Sequence, residues 1–288
     1  MASRRQIALY LAPALILVMV FFVIPLLFVV YMSFQKWPGL GPAIFVGFDN
    51  FIFLVHERAF QLAFFNTISW ALVGIFIHTP LCLLVALILS KRIFLWKFFR
   101  TVFFLPNVIS TTAVALLWYF ILHVDLGLVN KFLDMVGLGA LKKSWLFDPQ
   151  TALISTQLPF IIYIGFGMVI FLTQISTIPR EYYEAAQLDG ASSWQQDLYI
   201  TIPLIRGAIV LQVLFVVGYV LKMFEYPFIM TGGGPANLTM NLSLYMYRQM
   251  VTANQYGLSM AAGAITLLLG LFMTSIVFWV LRRVERSL

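Results

Sequence analysis

Six long apolar stretches, separated by shorter polar segments, set the pattern of this chain. They cover residues 7–34, 62–90, 101–124, 151–176, 200–224 and 256–281. Each reaches or approaches the roughly 20 residues that an α-helix needs to cross a ~30 Å hydrocarbon layer. Backbone amides and carbonyls find no water in lipid, so the pattern predicts helices in all six stretches. Alternating strands of the barrel type are not visible. The expected fold is an all-α polytopic membrane protein with six transmembrane helices.

Composition agrees. Hydrophobic residues make up 62% of the chain and charged residues only 10%, with a mean hydropathy of +0.95. A soluble domain would need more polar surface than this. The first stretch follows Arg4 and Arg5, as a signal peptide would, but its apolar run is too long and no small-residue cleavage site follows it. It is expected to stay as a helix. The lone cysteine, Cys82, sits inside an apolar run and excludes an internal disulfide.

The formal charge of +7 could suggest nucleic acid, but the basic residues stand singly or in small groups at the ends of apolar segments. They read as orientation signals instead. Arg4, Arg5, Lys91, Arg92, Lys97, Arg100, Arg180, Arg206, Arg282, Arg283 and Arg286 fall on one side. Lys36, Arg58, Lys131, Lys142, Lys143 and Arg248 fall on the other. The richer side, with both termini and residues 177–203, is expected in the cytoplasm of a cell membrane. Residues 35–61, 125–150 and 225–255 then lie outside. The absence of an internal repeat argues against an inverted-repeat carrier.

The segment "EYYEAAQLDGASSWQQDLYITIPL", from Glu181 to Leu204, is the longest polar run between two apolar segments. Pro179 suits a helix opening, and Glu181 and Glu184 favour its positive end. Gly190 stands where a left-handed C-terminal residue belongs. Ser192 with Gln195, and Ser193 with Gln196, each spell a capping box, so a second helix is expected at once. Pro203 should bend the chain as it re-enters the membrane. The expected product is a rigid L-shaped knob with a slim face at Ala185 and Ala186. A helix lying in lipid headgroups would favour Lys and Arg. Between Arg180 and Arg206 this one carries Glu181, Glu184, Asp189 and Asp197 and no basic residue, so a protein partner fits better.

At these residues the chain resembles a family. Glu184-Ala185-Ala186, Gly190 and Ile200-x-Ile202-Pro203 are similar to the EAA signature of membrane permease subunits of ATP-binding-cassette importers, with Ile202 where leucine is usual. Tyr10 to Pro13, Gly47 to Phe51, Asn66-Thr67, Phe99 to Pro106 and Thr231-Gly232-Gly233-Gly234-Pro235 resemble the carbohydrate branch, in particular the first permease of maltose-like and glycerol-phosphate-like systems. The resemblance implies a type I importer permease fold as one domain over 1–288, with a coupling loop at 177–203 and an outer loop at 225–255. It implies that Glu184 is the docking charge for a cytoplasmic ATPase, Ala185 and Ala186 its close-packed face, and Gly190 its turn. The implied partners are a second permease subunit, two copies of the ATP-binding subunit and an extracytoplasmic solute-binding protein. ATP and Mg belong to the ATPase, and no cofactor to this chain.

A substrate pathway is expected on the fourth and fifth spans, which the resemblance also favours. Gln212, Phe215, Val216, Tyr219, Lys222, Met223 and Tyr226 form one helical stripe. Thr156, Phe160, Tyr163, Gly167 and Gln174 form another, with Asn66, Trp70 and Trp118 as possible wall residues. Aromatic, amide and hydroxyl groups suit a sugar, though the same residues also serve helix–helix packing. Lys222 and Glu225 either pair at the membrane edge, where a lysine can snorkel, or Lys222 meets the substrate. Gly232–Gly234 is no phosphate cradle, since no Gly-Lys-Ser/Thr occurs. His56, His78 and His123 fall singly, so catalysis is not expected.

The expected function is import of a carbohydrate, most readily an oligosaccharide, by half of a translocation pathway. A glycerol-phosphate cargo is the alternative within transport. A stand-alone ion-coupled carrier would need more acidic residues or histidines within the spans.

Overall fold

The computed structural model describes residues 4–286. The side chains of residues 4, 5, 7–9 and 281–286 lie outside the description, so Arg4, Arg5, Arg282, Arg283 and Arg286 contribute nothing to the account below. Four helical spans are long and apolar enough to cross a membrane: Tyr10–Met32, Arg58–Ser90, Ala152–Ile175 and Tyr256–Val280. Two bent pairs raise the number to six: Trp96–Val108 with Thr111–Ile121, and Ser193–Leu204 with Arg206–Lys222.

The third span departs from the straight helix expected over 101–124. It turns by 102° at the extended residues Ile109 and Ser110, just past a tightened helical turn at Leu105–Val108. Pro106 has no amide hydrogen to continue the ladder. The helix restarts behind Ser110, whose hydroxyl accepts a hydrogen bond from the Ala113 amide at 3.3 Å.

Two compact units emerge. The first comprises the chain up to Gln61 together with Tyr245–Leu269. In it, Gln35 and Lys36 pair antiparallel with Phe45 and Ile44. The Asn50 amide donates to the carbonyls of Ser33 and Gln35 at 2.8 and 2.9 Å. Tyr245 donates to the Glu57 carboxylate. Burial first, and that bond second, push the Tyr245 phenol above its ordinary range. Much of the first span is exposed apolar surface, with Phe22 at 71%, which only lipid or another protein can cover.

The second unit comprises Leu62–Leu244 and the chain from Gly270 onward. It has two cores. One gathers Trp70, Val114, Phe160, Val216, Tyr226 and Met230. The other gathers Cys82, Ala86, Met168, Phe171 and Ile205 around the second, fourth and fifth spans.

Side-chain amides tie the turn and loop at Leu238–Asn241 into this unit. Asn66 Nδ2 donates to the carbonyls of Leu238 and Met240 at 2.9 and 2.8 Å. Asn241 Nδ2 donates to the Met223 carbonyl at 2.6 Å, and the Leu242 amide donates to Thr67 Oγ1 at 3.0 Å. Asn66 and Trp70, offered by sequence as wall residues, are therefore structural: one braces backbone and the other is fully buried.

Asn66→Ala removes the donor from one buried and one half-buried carbonyl, which should lower stability by about 2 kcal/mol. Thermal unfolding of the purified protein checks this, and an unchanged midpoint would show that the two bonds add nothing.

Candidate functional site

The polar segment after the fourth span folds as two short helices, Arg180–Leu188 and Ser193–Gln196. Gly190 joins them at a φ of +78°, a left-handed value natural to glycine. The Ala191 amide reaches back to the Ala186 carbonyl at 2.9 Å, and the Gly190 amide to Gln187 at 3.0 Å. This is the double bond pattern that closes a helix end. Ser192 and Gln195 complete the capping box.

The resulting knob is fastened down. Lys91, just past the end of the second span, meets Asp197 at 2.5 Å. Tyr183 and Thr201 hydroxyls share a hydrogen bond of 3.0 Å. At Ile205 the chain then turns 69° into the fifth span. Glu184 and Ala185 are exposed and Ala186 is half-buried. Leu188 and Trp194 are also outward, at 90% and 63% exposure, an apolar surface beside an acidic one.

A cavity of about 540 Å³ lies in the second unit. Tyr163, Gln212, Tyr219, Lys222 and Tyr226, all named from the sequence, line it. His78, Asn107 and Thr111 line it too, and sequence reasoning did not place them there. His78 could have been found as an ionisable ring inside an apolar run. Asn107 and Thr111 arrive through the bend of the third span.

The wall is a column of rings. His78 stacks on Phe160 at 4.5 Å and 11°, and Phe160 on Tyr219 at 5.8 Å and 15°. His78 is held in place by the Phe160 carbonyl, 2.9 Å from Nδ1, and by Cys82 Sγ, 3.4 Å from Nε2. Tyr163 sits where the fourth span breaks. Its φ of −81° and ψ of 63°, with the Ile164 amide bonded to the Ile162 carbonyl at 2.9 Å, form an inverse γ-turn. Gln212 Oε1 is buried and has no hydrogen-bond partner.

Two of the expected pathway residues lie elsewhere. Gly167 packs behind the wall: a Cβ there would come within 2.7 Å of both Cys82 Sγ and Gln212 Nε2. Its role is to let the fourth span approach the second and fifth. Met223 is buried in the core, because the helix ends at Lys222 and the Met223 backbone is extended, which breaks the stripe. The same break separates Lys222 from Glu225, and no ion pair joins them among the described residues. Glu225 instead accepts from the Phe224 amide at 3.4 Å. Among the described residues no group of three His, Cys, Asp or Glu side chains could hold a metal.

A solute-sized cavity among membrane helices, joined by one bent span to a rigid knob, defines a permease subunit. The family described as "Binding-protein-dependent transport system inner membrane component" matches residues 78–286, and this chain belongs to it. It is 35% identical over 272 residues to the probable ABC transporter permease protein YurN of Bacillus subtilis (strain 168), covering 91% of each chain. It is 30% identical over 265 residues to the probable starch degradation products transport system permease protein AmyD of Thermoanaerobacterium thermosulfurigenes, covering 91% of this chain and 88% of that one. Its fold matches a chain in the crystal structure of the bacterial alginate ABC transporter in complex with alginate pentasaccharide-bound periplasmic protein. That match has a TM-score of 0.84, 27% identity and coverage of 98% and 96%.

Asp197→Lys sets two cations against each other at the base of the knob and should weaken its attachment by about 1–3 kcal/mol. Adding Lys91→Asp restores an ion pair of reversed sense. Hydrogen exchange over residues 180–201 reads the effect; identical exchange in Asp197→Lys and wild type rules out the pair as a fastening.

Proposed function

We propose that this chain forms half of the translocation pathway of an ATP-driven, binding-protein-dependent importer whose cargo is a carbohydrate, most readily an oligosaccharide. The observation that carries the cargo is the cavity wall. Tyr219, at the exposed end of the stacked column, offers aromatic surface of negative potential against which the C–H faces of a sugar pack. Tyrosine hydroxyls and the unpartnered Gln212 carbonyl oxygen meet its hydroxyl groups. The names of relatives, among them a probable starch degradation products transport system permease, support the same class.

The knob is the joint with a cytoplasmic ATPase subunit. Glu184 supplies the docking charge, Ala185 and Ala186 allow close approach, and exposed Leu188 and Trp194 supply apolar contact. ATP and Mg are held by two such subunits, and this chain carries no cofactor. A second permease completes the pore, and an extracytoplasmic solute-binding protein delivers the sugar. The Lys91–Asp197 pair couples the knob to the second span, and the turn at Ile205 couples it to the fifth. Both spans wall the cavity, through His78 on one and Gln212 and Tyr219 on the other. Closure of the ATPase dimer therefore displaces the wall itself.

One observation favours a second reading of the cargo. Lys222 lines the cavity with no ion pair among the described residues, which suits a solute carrying an anionic group, such as an acidic sugar or glycerol phosphate.

Glu184→Lys should leave the cavity folded and reduce copurification of the ATPase by roughly thirtyfold or more, since reversing one partner of a close interfacial charge pair costs at least about 2 kcal/mol. Wild-type copurification by this variant would sink the docking role. In the reconstituted importer, Tyr219→Ala should lower sugar uptake about tenfold, the equivalent of one lost ring contact, while ATP hydrolysis persists. Lys222→Gln then separates the cargoes: neutral-sugar uptake is kept if the cargo is uncharged, and uptake of an anionic solute falls if it is not.

A further inference from the structure

We propose that the cleft between the knob and the neighbouring span ends binds the phosphate headgroup of an anionic phospholipid. The cleft has a volume of about 750 Å³ and is lined by Lys91, Arg92, Arg100, Arg180, Trp96 and Asp197, among others. Among the described residues its one carboxylate, Asp197, is already held by Lys91 at 2.5 Å. Arg92, Arg100 and Arg180 enter no ion pair among the described residues. Three arginines thus line one cleft with no counter-charge among the described residues, and guanidinium is the group that grips a phosphate with two parallel bonds.

The backbone also holds one of them there against its preference. Arg92 has a φ of +51° and Leu95 of +59°, in the turn between the second and third spans. A left-handed non-glycine residue costs about 1–2 kcal/mol, so the tight turn is maintained by its surroundings.

The cleft opens where the second span ends at Ser90 and the third begins at Trp96, which is where headgroups lie. Trp96 is an amphipathic ring of the kind that sits at that depth. Basic pockets between membrane helices recognise anionic headgroups by this arrangement. The remaining walls decide between a lipid and a free phosphate. Half-buried Leu172 and Ile175 line the same cleft, and they suit a ligand with a charged head and a hydrocarbon tail. The site lies outside the solute cavity and does not depend on the identity of the cargo.

The test uses the full chain with its copurifying partners, in nanodiscs of phosphatidylcholine with or without phosphatidylglycerol. After mild detergent release, native mass spectrometry reads the lipid retained. Wild type should keep phosphatidylglycerol in preference to phosphatidylcholine. Each arginine near an anionic headgroup contributes roughly fivefold, so Arg92→Gln, Arg100→Gln and Arg180→Gln together should reduce retention by on the order of a hundredfold. Lys143→Gln, remote from the cleft in sequence, should retain the lipid as wild type does. If the triple variant does not assemble, the single variants Arg92→Gln and Arg100→Gln are read separately, each expected to lose roughly fivefold. Equal retention of both lipids, or full retention by the arginine variants, overturns the site. Arginine-dependent binding of inorganic phosphate with no lipid retained overturns the lipid as its occupant.

Discussion

Inside hydrocarbon a helix cannot stop without leaving amides and carbonyls that only the protein can satisfy, and this constraint organises the molecule. Three interruptions matter: the third span at Ile109-Ser110, the fourth at Tyr163, and the fifth after Lys222. Each is repaired locally. Ser110 caps the restarted helix, an inverse γ-turn closes on itself at Tyr163, and Asn241 reaches across to the Met223 carbonyl. The first two breaks adjoin the solute cavity, and the third falls beside Lys222 at its wall. Irregular backbone is thus concentrated where a polar cavity makes it tolerable.

The knob follows the opposite logic. It lies outside the apolar stretches, so its sequence can be spent on local rules: proline ahead of the helix, a left-handed glycine between helices, a capping box after it. Those rules make it rigid without a core of its own. Rigidity matters because a joint that flexed would absorb a push instead of passing it on. The ion pair to Lys91 and the turn at Ile205 give the push two routes into the bundle.

This contrast explains what could be read in advance. Span number followed from run length alone, and the knob from residues three apart in sequence, such as Ser192 and Gln195. The cavity was only half legible. Gln212, Tyr219 and Lys222 lie on one continuous helix, so helical spacing placed them together, whereas Met223 and Glu225 lie past its end, where spacing no longer holds. Asn107 and Thr111 were invisible because hydropathy reports how apolar a segment is and not that it turns through 102°. Asn66 was offered as a wall residue because a buried amide looks alike in sequence whether it holds a solute or a backbone carbonyl.

The seam behind the ring column has one further consequence. Cys82 is the chain's single thiol, and it is fully buried between His78 and the bare backbone of Gly167. A thiol packed this closely is shielded from alkylating reagents in the folded protein. Any cysteine introduced on the knob or in the cavity can therefore carry a fluorophore or spin label in an otherwise native background, and the motion of one relative to the other becomes directly visible during turnover.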